Sequence, residues 1–150
     1  YELLELPYSI KGMDVSFTGL QTKIRQLLDK GENSKEELAY AMQEHVFAML
    51  VEAAERALAH TGKKELVLGG GVACNSRLQE MAKIMCEERG CNYFCPERPL
   101  LVDNAAMIAY TGEVMNNKDK TLAVIPNTKE FEDLDINPRQ RTDQVEVSWK

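Results

Sequence analysis

The residues whose types and spacing suit chemistry are Gly69, Gly70, Gly71, Asn75 and Asp103. The three glycines close a short apolar run, 65–68, and Val72, Ala73 and Cys74 lead from them into Asn75, Ser76 and a periodic helical segment. Glycine adopts positive φ and lets another group come close to the backbone. A helix N-terminus carries unpaired N–H groups and a partial positive charge. The two together suit an anion, most often a phosphate. Asn75 or Ser76 suits the cap of that helix, and Asn75 also offers an amide to a ligand. A tight strand-to-helix turn with no ligand uses the same residues equally well. Asp103 follows the apolar triplet Leu100, Leu101, Val102 and opens another helical segment. There it serves either as an N-cap or as a ligand to a hard or borderline cation. Nothing local completes a metal site, because His45 and His60 lie fifteen positions apart on another helix and do not share a face.

The elements that must position these groups are legible from periodicity. Residues 1–10 read as an edge strand or connector interrupted by Pro7, and 11–19 as a loop. A helix starting at Ser16 or Thr18 and running to about Lys30 places Phe17, Leu20, Ile24, Leu27 and Leu28 on one face, and Gly31 stops it. Ser34 and Glu37 form a capping box. It opens a long helix from Lys35 to about His60, with an apolar stripe of Leu38, Ala41, Met42, His45, Val46, Met49, Leu50, Ala53, Ala54, Ala57 and Leu58. His45 on such a stripe reads as a satisfied core or boundary residue. The run 65–68 reads as a buried strand. A third helix over 76–89 turns Leu78, Met81, Ala82, Met85 and Cys86 inward, with Gly90 just past its end. Residues 91–95 form a second strand, 96–103 a loop, and 103–115 a helix rich in small residues, Ala105, Ala106, Ala109 and Gly112. The remainder, 116–150, is a polar tail whose alternating Val145, Val147 and Trp149 predict a final strand. Helices alternating with short apolar strands predict an α/β layered fold on a mainly parallel sheet. In such sheets the ligand sits at the carboxyl ends of the strands, so the glycine turn and the 96–103 loop are expected on one edge.

Composition narrows the function classes. A net charge of −6 is unlike a stand-alone nucleic-acid binder, which is usually basic; contact with nucleic acid then needs a local patch. No apolar run approaches the length of a membrane span. The four cysteines, Cys74, Cys86, Cys91 and Cys95, contain no C-x-x-C pair and read as reduced, mostly buried thiols of a cytosolic protein. Neither G-x-S-x-G nor the P-loop pattern occurs, and GGGVACN does not match G-x-G-x-x-G. The first residue is Tyr1, not Met, which hints at a fragment.

Four ordered segments carry a family resemblance: KGMDVSFTGL (11–20), LVLGGGVACNSRLQEM (66–81), DNAAMIAYTG (103–112) and RTDQVEVSW (141–149). Together they resemble the universal tRNA threonylcarbamoyl transferase family, also known as O-sialoglycoprotein endopeptidase or glycoprotease. The MDVSF segment and the closing RTDQVEVSW look like its archaeal and eukaryotic branch, the catalytic subunit of the KEOPS complex. The resemblance implies two actin-like halves of ribonuclease-H-like topology with a nucleotide between them. It implies transfer of a threonylcarbamoyl group from its adenylate to the N6 amine of an adenosine beside the tRNA anticodon. One bound metal ion, iron or zinc, organises the substrate in that family. By motif, Asn75 contacts the nucleotide (threonylcarbamoyl-adenylate or ATP), Gly70 and Gly71 line its phosphate side, and Asp103 is a metal ligand. Implied partners are tRNA, a small atypical kinase and a small dimerising subunit of KEOPS, and the family's N-terminal half; the implied location is cytoplasmic, and nuclear too in a eukaryote.

The chain departs from the family pattern. The family's H-x-x-x-H pair and metal-binding tyrosine are missing, as are the aspartate, glycine and acidic residue that hold the nucleoside. The whole of 1–150 is therefore expected to be the C-terminal half-domain. One carboxylate holds metal weakly, and half a cleft cannot orient two substrates, so the 150-residue chain alone is expected to lack transferase activity. Two other readings stay open: the nucleotide-binding half of an actin-like small-molecule kinase, and a non-catalytic docking module presenting its first two helices or its tail. The peptidase label finds no protease nucleophile and no H-E-x-x-H. Lys118, Lys120, Arg139 and Arg141 suit either tRNA phosphates or a solvated surface.

Overall fold

The computed structural model describes residues 3–120 and 126–141, together with Gln144 and Val147. The chain divides into two compact units, 1–102 and 103–150.

The first unit is built along one long helix. An antiparallel hairpin pairs β1 (Ile10–Lys11) with β2 (Asp14–Val15), where a loop was expected. The turn is made by Gly12 at φ 64° and Met13, a left-handed start that glycine adopts without strain. Helix α1 (Thr18–Lys30) follows, with Phe17 at its N-cap and Gly31 in the left-handed conformation at its end. Helix α2 (Lys35–Thr61) opens on the predicted capping box. The Ser34 hydroxyl accepts from the Glu37 amide at 3.2 Å, and the Ser34 amide donates to the Glu37 carboxylate at 2.8 Å. That amide, then the Ser34 hydroxyl, lowers the Glu37 pKa. Gly62 stops the helix in the left-handed region.

At 27 residues and about 1.5 Å per residue, α2 is long enough to serve two cores. Ala41 and Met49 pack with Leu6, Ile10 and Leu20 beneath the hairpin and α1. Farther along, Leu58 packs with Met85 and Cys86 of the helix Ser76–Glu88, and with Leu66 and Tyr93. The predicted single stripe is therefore corrected in two places: Met42 is 39% exposed, and Phe47, outside the stripe, is buried. His45 is satisfied as expected, its Nδ1 lying 2.8 Å from the Ala41 carbonyl.

The hairpin is strapped to α2. Arg56 donates to the Gly12 carbonyl at 2.8 Å and to the Tyr8 hydroxyl at 3.1 Å, and it pairs with Glu52, which accepts from Tyr8 at 2.7 Å. Arg56→Ala is expected to speed amide exchange across 10–15 while leaving the helical circular dichroism unchanged. Hydrogen exchange read residue by residue checks this; unaltered protection in the hairpin would show that the strap is not what holds it.

Strand β3 (Glu65–Val67) pairs in parallel with β4 (Asn92–Phe94), Leu66 opposite Tyr93 and Val67 opposite Phe94. The expectation of a buried strand holds for one face only. Leu66 and Tyr93 turn toward the helices, whereas Val67 is 66% and Phe94 49% exposed. Successive side chains alternate across a strand, so an apolar run need not be buried on both faces. The Tyr93 hydroxyl is buried without a partner, and burial pushes its pKa up to about 12. Among the described residues there are thus two small sheets, one parallel and one antiparallel, in place of a single mainly parallel one.

Between β3 and α3 (Ser76–Glu88) the chain makes a short 3-10 turn, Gly71–Cys74, that periodicity did not foresee. After β4 the expected loop contains one helical turn, α4 (Arg98–Leu101), with Pro99 in its first turn and Leu101 buried. All four cysteines are free; Cys86 is buried and the others are half-buried.

The second unit contains α5 (Ala105–Lys118) and the single-turn α6 (Lys129–Glu132), capped by Thr128. Helix α5 buries none of its residues, small or large; Ile108 is 72% exposed. The strand predicted for 145–149 falls outside the described residues, apart from the exposed Val147. No helix among the described residues is long and apolar enough to cross a membrane.

Candidate functional site

Gly69, Gly70 and Gly71 are exposed and follow directly on the C-terminal end of β3, where the Leu68 amide donates to the Phe94 carbonyl at 2.9 Å. Only Gly70 is conformationally obliged to be glycine, at φ 88°. A Cβ built on any of the three meets nothing within 4 Å. The backbone here is thus open on the side a Cβ would occupy. The turn is nevertheless anchored: Ala73 is buried, its amide donates to the Gly70 carbonyl at 3.0 Å, and its carbonyl accepts from Gln79 Nε2 at 2.6 Å.

Asn75, not Ser76, caps α3. Its extended backbone breaks the 3-10 turn from the helix, and its Oδ1 accepts from the Arg77 amide at 2.9 Å and the Leu78 amide at 3.4 Å. The same side chain donates through Nδ2 to Gln43 Oε1 of α2 at 3.1 Å. The next residue of α2, Glu44, grips Arg77: Nε lies 2.9 and 3.2 Å from the two carboxylate oxygens, and Nη2 lies 2.8 Å from Oε2. Arg77 also reaches Glu80 at 2.7 Å. The Arg77 guanidinium holds the Glu44 carboxyl below its ordinary range, and the two carboxylates raise the Arg77 pKa in turn. Gln43 and Glu44 are the residues sequence reasoning missed. Their only signal is a polar pair beside the α2 stripe, and their partners lie 32 and 33 positions away.

Asp103 lies two residues before the start of α5, just outside its cap. The cap is Asn104, whose Oδ1 accepts from the Met107 amide at 3.0 Å. The helix therefore does not start at Asp103, and the capping alternative for that residue falls. Asn104 has the extended backbone that a cap requires. Asp103 is exposed and lines an open depression of about 370 Å³ with Asn104, Ala105, Met107 and Ile108. Among the described residues its carboxylate has no hydrogen-bond or ionic partner. No group of three His, Cys, Asp or Glu side chains able to hold a metal occurs among the described residues. Asp103 thus fits as one ligand of a cation and not as a site by itself. The glycine turn and Asn75 lie in the first unit and Asp103 in the second.

Residues 2–110 match the family model described as TsaD, tRNA N6-adenosine threonylcarbamoyltransferase. The chain belongs to this family. Relatives carrying the same enzyme name include proteins from Methanococcoides burtonii, 49% identical over 97% of this chain, and Rattus norvegicus, 46% identical over 99% of it. A protein from Methanocorpusculum labreanum named a probable bifunctional tRNA threonylcarbamoyladenosine biosynthesis protein is 47% identical over 98% of the chain. The chain spans 41% and 44% of the first two and 26% of the third. The family match covers the glycine turn, Asn75 and Asp103, and stops short of the polar tail.

Proposed function

We propose that this chain is the C-terminal part of a tRNA N6-adenosine threonylcarbamoyltransferase, and that it supplies the phosphate-side turn and one metal ligand. The observation that carries the reading is the family match over residues 2–110, which takes in the exposed glycine turn and the Asn75 amide held by Gln43. In the full-length protein the fold is the actin-like, ribonuclease-H-like one. The nucleotide is threonylcarbamoyl-adenylate during transfer, with ATP as a second ligand of the same site. Gly70 and Gly71 hold its phosphate side, and Asn75 hydrogen-bonds the nucleotide. Asp103 is one ligand of an iron or zinc ion; the other ligands come from outside the described residues. Such an ion supplies Lewis acidity and a template at the carbamoyl group. The N6 amine of the tRNA adenosine attacks the carbamoyl carbon, the bond from that carbon to the phosphate oxygen breaks, AMP leaves, and the amine loses a proton. Backbone donors at the turn favour the leaving phosphate. The working assembly includes tRNA and the KEOPS subunits, a small atypical kinase and a small dimerising protein among them, in the cytoplasm or, in a eukaryote, also the nucleus.

Gly71→Ala gives the sharpest test. Its φ is ordinary and its Cβ meets nothing, so the thermal midpoint is expected to stay within about 1 °C of wild type. In the full-length protein, titration with ATP is expected to show affinity about tenfold weaker, because the methyl occupies the ligand's approach. Equal affinity in the two proteins would remove the phosphate from this turn. Gly70→Ala serves as contrast: it is expected to lower stability by about 2 kcal/mol, because φ 88° with ψ 166° is a backbone conformation essentially restricted to glycine. The 150-residue chain by itself is expected to bind metal weakly and to modify no tRNA.

A further inference from the structure

A cap needs only an acceptor. Asn75 spends its Oδ1 on that task, receiving both the Arg77 and the Leu78 amides. This fixes which end of the amide is oxygen, since two backbone N–H groups cannot face an NH2 group. The nitrogen end must then lie toward α2, where Gln43 Oε1 takes one of its two hydrogens at 3.1 Å. One N–H remains. The bond to Gln43 contributes nothing to capping, because aspartate or serine would cap α3 as well without it.

Gln43 and Asn75 are half-buried, so the pair is anchored yet within reach of a ligand. The adjoining Glu44–Arg77 contact holds the start of α3 against α2, with the Glu44 side chain only 12% exposed. Gln43 then sets the plane of the Asn75 amide within that fixed frame. Consecutive residues of one helix thus determine the depth and the rotation of a group on another.

We propose that Gln43 is a positioning residue: it locks Asn75 so that the amide meets the nucleotide as a hydrogen-bond donor only, through the one remaining Nδ2 hydrogen. The ligand atom at this point is therefore an acceptor, a phosphate or ribose oxygen or a ring nitrogen, and never a donor. This rests on the reading above that Asn75 touches the nucleotide.

The test is calorimetric titration of the full-length protein with ATP, with the thermal midpoint recorded for each variant. Asn75→Asp keeps the cap and removes the donor, so affinity is expected to fall at least about tenfold with the midpoint retained. Gln43→Met keeps the length and removes the acceptor, with an expected loss of about threefold to tenfold; Gln43→Glu restores the acceptor and the affinity. Where Gln43→Met does not fold, Gln43→Leu takes its place. In the Asn75→Asp background, Gln43→Met is expected to weaken ATP no further, since its effect runs through the amide. Wild-type affinity in Gln43→Met, or an equal loss in Gln43→Glu, would overturn the proposal while leaving the nucleotide site intact. So would Asn75→Asp binding normally where Asn75→Ala does not, for the residue would then act as a cap alone. Wild-type protein that binds no ATP would instead overturn the nucleotide reading itself, and this proposal with it.

Discussion

Asp103→Asn is expected to cut tRNA modification by the full-length protein about a hundredfold or more, without moving its thermal midpoint. On the proposed role of Asp103 as a metal ligand, the size follows from losing a charged ligand to a cation that would stabilise developing charge at the reacting carbonyl. The unchanged midpoint follows from the geometry of α5. Asn104 caps the helix, accepting from the Met107 amide at 3.0 Å, and the Asp103 carboxylate has no partner among the described residues. Asn104→Ala provides the mirror image, a loss of about 1 kcal/mol in stability from the missing cap. Activity assays and thermal melts on the two variants separate the roles. A midpoint that drops in Asp103→Asn with activity preserved would return Asp103 to a structural role and take the metal away from this residue. Metal content of the same two proteins, measured by elemental analysis, gives an independent reading: reduced in Asp103→Asn and unchanged in Asn104→Ala.

The second large effect is expected at the contact between α2 and α3. Arg77→Met strands the Glu44 carboxylate, whose side chain is only 12% exposed, and removes a bidentate pair. A buried charge that loses its partner is strongly destabilising, but Arg77 itself is 37% exposed and partly screened by water. The expected loss is about 2 kcal/mol, read from the urea midpoint at neutral pH. Its pH dependence has a definite sign. The Arg77 hydrogen bonds hold the folded Glu44 pKa below its ordinary value of 4.5, against the opposing pull of desolvation. The folded state therefore binds this proton less readily than the unfolded state does, and the clamp's stabilisation is fully present above about pH 4.5. It is lost as pH falls through the lowered folded value. The gap between wild type and Arg77→Met is expected to be constant from about pH 5 to about pH 7 and to narrow in more acid solution. A gap that widened on acidification would show that Glu44 gains nothing from Arg77.

Local elements were readable from the sequence wherever a short-range rule governs them. The Ser34–Glu37 box, the glycine stops at Gly31 and Gly62, and the α3 face of Leu78, Ala82, Met85 and Cys86 depend on residues a few positions apart. The 3-10 turn at Gly71–Cys74 and the α4 turn were missed because each is too short to show a period. The hairpin 10–15 was missed because its strands are two residues each. The exposure of Val67 and the burial of Phe47 were misjudged for another reason. Apolarity along one segment does not say which neighbours will cover it.

The same division applies to the site. By itself the sequence determined the family and the glycine turn after a strand, and it put Asn75 and Asp103 inside the segments that resemble the family, because these depend on residue identity and near neighbours. The structure decided that Asn104 rather than Asp103 caps α5, a local choice between neighbours that residue type leaves open because both cap well. It alone decided that Gln43 and Glu44, 32 and 33 positions from their partners, fix the Asn75 amide and the start of α3. Hydrogen-bond partners so far apart along the chain are chosen by how two helices pack, and no spacing rule within either helix encodes that choice.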